Sequence, residues 1–173
     1  MAVERRPPAP TERLSLREMT RADLDDMAAL LGDPEVMRHY PRPFTREEAA
    51  RWIESSLRSY EEHGYGLWTV TVRETGEFAG NCGLTRQNVE GEIFTEVGYL
   101  VPARLQGRGY ATEAALACRD HARDVLGVDR LIAIINPENV PSQRVAGKLG
   151  LTFERTAAYN GSRQRIYSLR LRP

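Results

Sequence analysis

Two features of the chain can do chemistry: a glycine turn able to seat an anion, and a strand carboxylate able to move a proton. Gln106-Gly107-Arg108-Gly109-Tyr110-Ala111 stands between a run that reads as a strand, Ile93 to Val101, and a helical run that begins at Thr112 and carries on towards Leu126. Such a turn gathers backbone N–H groups that no intrahelical carbonyl satisfies, at the positive end of the helix dipole. Phosphate or pyrophosphate is its natural ligand, and Gly107 and Gly109 let the anion approach the backbone. Glu96, on the preceding strand, is a candidate general base. A carboxylate whose pKa is raised by burial can take a proton from an ammonium group, directly or through water. Its plainer reading is a solvent-facing strand glutamate beside Glu90 and Glu92. The commonest nucleotide patterns do not fit. No Lys-Ser or Lys-Thr pair follows the glycines, and Gly107-Arg108-Gly109-Tyr110-Ala111-Thr112 lacks the third glycine of a dinucleotide turn.

Composition limits what surrounds these groups. A chain of 173 residues with 41% apolar content fits one domain with a real core. Its 24 basic and 24 acidic residues cancel, which leaves no electrostatic case for nucleic acid or an anionic membrane as partner. No apolar run is long enough to span a bilayer. Residues 1–12 read as a mobile tail, Arg- and Pro-rich through Pro10, and neither a secretory signal nor an anchor. Residues 13–173 read as a single domain. Cys82, Cys118 and three scattered histidines make no metal-type cluster, so no metal is expected. Buried reduced thiols suit a cytoplasmic protein.

The periodicity is that of an alternating α/β chain. Arg13 to Glu18 alternates as a first strand, and Thr20 to Asp23 opens a helix with Leu24, Met27, Ala28 and Leu31 on one face. Thr45 to Glu48 is a capping box for a helix running to His63, with Gly64 as its stop. Strands are expected over Tyr65 to Arg73, Phe78 to Leu84 and Ile93 to Val101. After the long helix come a buried strand at Leu131 to Ile135, a helix over Asn139 to Leu149, and closing strands at Thr152 to Tyr159 and Gln164 to Leu171.

The Gln-x-x-Gly-x-Ala pattern from Gln106 to Ala111 resembles the pyrophosphate loop of the GCN5-related N-acetyltransferases (GNAT). Three further stretches carry the likeness: Glu96-Val97-Gly98-Tyr99-Leu100-Val101-Pro102, Asn139-Val140-Pro141-Ser142 leading to Lys148-Leu149-Gly150-Leu151, and Asp33-Pro34-Glu35-Val36-Met37-Arg38. The last resembles one branch, the ribosomal-protein alanine N-acetyltransferases (RimJ/RimL-like). The resemblance implies a GNAT acyl-CoA N-acyltransferase fold: a mixed central sheet of about seven strands, flanked by four helices and splayed between the fourth and fifth strands. It implies acetyl transfer from acetyl-coenzyme A directly to a primary amine, on a protein N-terminus or a small molecule, and leaves a homodimer open.

By the same resemblance, backbone groups of Leu100 and Val101 hold the pantetheine arm, and Gln106, Gly107, Arg108, Gly109, Tyr110, Ala111 and Thr112 hold the pyrophosphate. Asn139 binds pantetheine or caps its helix, and one side chain can do both. Glu96 matches the position of a catalytic glutamate. Ser142 is a candidate acid for the departing thiolate, or simply hydrogen-bonds the helix start or the cofactor. Many relatives place a tyrosine four residues further on, where this chain has Ala146. Tyr159 and Tyr167 either reach the site or pack in the core. The acceptor side offers Arg38, His39, Tyr40, Arg42, Phe44, Trp68 and the Asn160-Gly161-Ser162-Arg163 turn, whereas Glu90, Glu92 and Glu96 together suggest an acidic cleft for a polycation. A sensor that binds acetyl-coenzyme A without turnover is the alternative to an enzyme.

Overall fold

One sheet, with strands in the order β1-β2-β3-β4-β5-β7-β6, runs through the whole chain. The computed structural model describes residues 4–173; the first three residues of the expected tail lie outside the described residues. Along the chain come β1 (Leu14–Glu18), α1 (Leu24–Leu31), α2 (Arg46–His63), β2 (Leu67–Val72), β3 (Phe78–Val89) and β4 (Glu92–Leu100). Then follow α3 (Tyr110–Asp124), β5 (Arg130–Ile135), α4 (Val140–Lys148), β6 (Thr152–Tyr159) and β7 (Ser162–Arg170). All neighbouring strands are antiparallel except β4 and β5. This is the mixed sheet with four helices that the sequence implied.

The helices form where apolar side chains recur on one face. α2 opens on the expected capping box: Thr45 Oγ1 accepts the Glu48 N–H at 3.2 Å, and the Glu48 carboxylate accepts the Thr45 N–H at 2.7 Å. It stops at Gly64, whose φ of 78° lies in the left-handed region. α1 and α2 bury Met27, Leu31, Ala49 and Ile53 with Met19 and Met37 on one side of the sheet. On the other side, α3 lays Ala114, Ala115, Cys118 and Ala122 against a layer that includes Trp68, Leu84, Val97 and Leu131. Each large side chain fully buried there contributes roughly 1.5–3 kcal/mol.

Strand ends shift by a residue or two from the sequence reading, and the larger extension of β3 and the earlier start of β7 alter the site. β3 does not end at Leu84 but continues to Val89, paired with β4 through Val89↔Glu92. The connection is the two-residue turn Glu90-Gly91, both with positive φ (51° and 89°), a geometry matched to the twist of a hairpin. β7 likewise begins at Ser162, directly after an Asn160-Gly161 turn with φ of 48° and 80°. The long β3–β4 hairpin reaches β6, where the Glu90 carboxylate accepts the Ala158 N–H at 3.1 Å and pairs with Arg155 at 3.0 Å. Glu90 is therefore engaged at the hairpin tip, and buried Phe94 stands between Glu92 and Glu96 along the strand face. The three carboxylates do not form an acidic cleft.

Candidate active site

β4 and β5 pair only at Thr95↔Leu131 and Glu96↔Ile132. Beyond that point β4 follows β3 as far as Asn81↔Leu100, while β5 follows β7 through Ile135↔Arg165. Two parallel strands thus part company at Glu96. The β5-facing edge of Val97 to Leu100 has no strand partner, and an extended ligand can use those backbone groups.

Glu96 sits in the fork. One carboxylate oxygen accepts the Ile134 N–H at 3.1 Å, from β5 just past the last paired residues. The other accepts the Thr85 hydroxyl at 3.2 Å, directly across the β3–β4 ladder. Burial raises the Glu96 carboxyl; the Ile134 N–H, Thr85 and Gln87 pull it down, and the balance leaves it at about 7. No cation enters that balance. Such a group changes protonation state near neutrality, as a general base requires.

After β4, Val101 leads through a single turn at Ala103–Leu105 to the glycine loop. Gln106 is exposed but folds back on the strand end: its side-chain amide donates to the Val101 carbonyl at 3.0 Å and braces the loop. That contact uses one of the two lone pairs of the Val101 carbonyl. Gly107 and Gly109 adopt φ of 77° and 82°. A Cβ at Gly107 would meet nothing within 4 Å, and one at Gly109 only the Arg13 guanidinium at 3.4 Å, so the space before α3 is clear for a diphosphate. The first backbone bond of α3 runs from the Glu113 N–H to the Gly109 carbonyl at 3.0 Å. The N–H groups of Tyr110, Ala111 and Thr112 precede it and lack intrahelical acceptors.

Sequence reasoning missed the role of Arg13 here. Its guanidinium donates to the Arg108 carbonyl at 3.0 Å, pairs with Glu113 at 2.7 Å and lies 4.5 Å over the Tyr110 ring. Burial would raise the Glu113 carboxyl, but hydrogen bonds from Arg13 and Thr11 outweigh it and hold it below its ordinary value. Thr11 and Arg13 thereby clip the chain ahead of β1 onto the start of α3. No local motif announces this contact, because the partners are about a hundred residues apart in sequence.

At the other side of the fork, Asn139 caps α4. Its Oδ1 accepts the Ser142 N–H at 3.1 Å, which leaves Nδ2 for a ligand. Ser142 Oγ lies 2.9 Å from the hydroxyl of Tyr99, which donates to the Ser142 carbonyl at 3.0 Å. The single phenolic proton goes to the carbonyl, so the serine O–H donates to the phenol oxygen. Burial, partly offset by the Ser142 hydrogen bond, pushes the Tyr99 phenol well above its ordinary value. Ala146 is fully buried one helical turn below. A phenol thus reaches α4 from β4, beside the hydroxyl that Ser142 itself carries. The signal was in the sequence: Tyr99 shares a strand face with Val97, opposite the face that carries Glu96.

The acceptor side is only partly as expected. Asn136 Nδ2 donates to the His39 carbonyl at 3.3 Å, tying the segment before α2 to the end of β5. Tyr40 is 41% exposed, yet burial and then the charge of Glu96 push its phenol up to about 12. Tyr159 donates to Gln87 Oε1 at 2.5 Å on the same side. Arg42 is taken by Glu48 at 2.6 Å, Phe44 packs edge-on between Tyr40 and Trp52, and Arg163 bonds Thr156. Trp68, 1% exposed, packs edge-on against His121 in the core and lines no cleft. Tyr167 is also buried and donates to Gln143 on α4. Cys82 and Cys118 face each other in the core, their sulfurs 3.6 Å apart, and burial pushes the Cys118 thiol up.

The Acetyltransferase (GNAT) domain family matches residues 13–152. The Bacillus subtilis (strain 168) protein YkkB is 35% identical over 147 residues, which span 84% of this chain and 86% of its own. The N-acetyltransferase p20 of Bacillus licheniformis is 32% identical, over 83% of this chain and 82% of its own. An acetyltransferase structure from Agrobacterium tumefaciens str. C58 superposes with a TM-score of 0.83 at 29% identity, covering 94% of each chain.

Proposed function

Since the chain belongs to the GNAT acetyltransferase family, we propose that it is an acetyl-coenzyme A-dependent N-acetyltransferase with Glu96 as the base for a primary amine. The observation that carries this reading is Glu96 itself, poised near neutrality where β4 and β5 separate. When bound, acetyl-coenzyme A supplies an acetyl group on a thioester, open to attack by a neutral amine. The residues that would hold it follow the fork. The N–H groups at Gly107 to Thr112 take the diphosphate, and Asn139 Nδ2, the free edge of Leu100 and the Val101 N–H take the pantetheine arm.

Glu96 takes the ammonium proton and so releases the amine as a nucleophile. The Tyr99–Ser142 pair would supply a hydroxyl proton to the departing thiolate once one of the two hydroxyls turns from its resting partner. Coenzyme A thiolate is a tolerable leaving group, so a weakly acidic hydroxyl pair suffices. Neither cysteine serves as a covalent carrier. Both are buried, and only the thiolate form is nucleophilic.

The acceptor is a primary amine, on a protein N-terminus in the manner of the ribosomal-protein branch or on a small molecule. The Asp33 to Arg38 segment that resembles that branch leads into the cleft wall at His39 and Tyr40. The test is thiol release from acetyl-coenzyme A across N-terminal Ala and Ser peptides, amino acids, polyamines and aminoglycosides, with binding followed by calorimetry. Turnover with one acceptor class is the expected result. Tight binding without turnover would favour a sensor, and absence of binding would overturn the loop assignment.

A further inference from the structure

Glu96 stands at the inner end of a chain of side chains that all donate in one direction. The Tyr159 hydroxyl donates to Gln87 Oε1 at 2.5 Å, Gln87 Nε2 donates to Thr85 Oγ1 at 3.1 Å, and the Thr85 hydroxyl donates to Glu96 Oε1 at 3.2 Å. Each hydroxyl has one proton, and the amide has one face for each partner, so fixing either end fixes the polarity of the whole chain. The geometry has a simple origin. Thr85 lies directly across the ladder from Glu96, and Gln87 follows two residues along β3, hence on the same sheet face. Tyr159 is the last residue of β6, and the Glu90 contacts to Ala158 and Arg155 dock the hairpin beside it.

We infer that Tyr159 and Gln87 are positioning residues for the reaction: through Thr85 they hold Glu96 as an acceptor-only carboxylate aimed into the fork. This rests on Glu96 being the base. Without the chain, Thr85 is free to turn its proton away, and the carboxylate loses the Thr85 donor. The far end of the chain is the β6–β7 corner, so the turn at Asn160-Gly161 is coupled to the base three side chains away. The titratable groups beside Glu96 are Tyr40, from the segment before α2, and Tyr159 on β6; Tyr99 lies further along β4 on the opposite face of the strand. All three phenols are raised, by burial first and with the charge of Glu96 contributing, so they remain neutral where Glu96 titrates.

The experiment is a carbon-13 NMR titration of the Glu96 side-chain carboxyl in the full chain, paired with pH profiles of kcat/KM. Wild type is compared with Thr85→Val, Tyr159→Phe and the double variant. Thr85→Val should move the titration upward by about one pH unit, the size of one hydrogen bond to a charged group. Tyr159→Phe should move it less, in the same direction, and add nothing in the Thr85→Val background, because the chain is already cut. Thr85→Ser, which keeps the hydroxyl, should restore the wild-type value. An unmoved titration in both single variants, or equal Tyr159→Phe effects in the two backgrounds, would overturn the inference. Glu96→Gln separates this from the mechanism: if its kcat/KM profile keeps the wild-type acid limb, Glu96 is not the base, whatever the titration does.

Discussion

Replacing Glu96 by Gln should weaken the enzyme and, above neutral pH, strengthen the fold. In the folded protein the carboxyl titrates at about 7, against an ordinary 4.5. Between those values the folded chain binds a proton that the unfolded chain has released, so stability falls as pH rises through the interval and then levels off. At about 1.4 kcal/mol per pH unit the loss has a ceiling of ~3 kcal/mol, and partial exposure of the residue brings it nearer ~2 kcal/mol. Gln is neutral throughout and fits the site: its carbonyl can accept the Ile134 N–H while its amide donates to Thr85 Oγ1. The variant should therefore match wild type near pH 5 and exceed it near pH 8.5, by roughly 4–8 °C in Tm for a chain of this size. Its kcat should fall about 10²–10⁴-fold at pH 7. The loss should shrink as pH rises and more of the amine is neutral without help. The assays are thermal unfolding at both pH values and thiol release with the best acceptor. A Tm difference that does not change between pH 5 and pH 8.5 would refute the raised carboxyl, and a near-wild-type rate at every pH would remove Glu96 from the chemistry.

Three further outcomes follow from the same geometry. Gly109→Trp should abolish acetyl-coenzyme A binding in calorimetry by filling the seat before α3, and lower Tm by a few degrees, since a side chain at φ 82° costs about 1–2 kcal/mol. Tyr99→Phe should lower kcat roughly tenfold with little change in KM for acetyl-coenzyme A, because it removes one hydroxyl of the Tyr99–Ser142 pair while the glycine loop stays intact. Arg13→Ala should weaken acetyl-coenzyme A binding several-fold without changing the pH dependence of kcat, by unclipping the loop at the Arg108 carbonyl; equal affinity would show that the loop holds its shape unaided.

How much of this was legible in the chain can be argued element by element. The glycine loop, the α2 capping box and the Asn139 cap were readable because their hydrogen bonds close within a few residues, so residue type and spacing carry the geometry. Trp68 was harder. A tryptophan between Leu67 and Thr69 suits a core strand or a cleft wall equally, and only the packing of His121 against it places it in the core. The hairpin extension to Val89 was missed because Arg86, Gln87 and Asn88 look like a loop, although alternation puts only Arg86 and Asn88 in solvent. The apparent acidic cluster failed for a related reason. Residues close in sequence near a hairpin tip are held apart by the strand rise and by their own partners.

The sequence by itself determined the order of elements, the glycine turn at the start of α3 and the presence of a carboxylate on the preceding strand, since each depends on local periodicity or short-range capping. Only the tertiary structure decided which groups surround that carboxylate and raise its proton affinity. The β4–β5 fork, the Arg13 clip, the Tyr99–Ser142 pair and the Tyr159-to-Glu96 chain join residues far apart in sequence. Their energies come from burial and hydrogen bonds that exist only once the sheet has assembled. A glutamate's letter fixes its charge in water; its proton affinity in the fold is set by what the other strands bring to it.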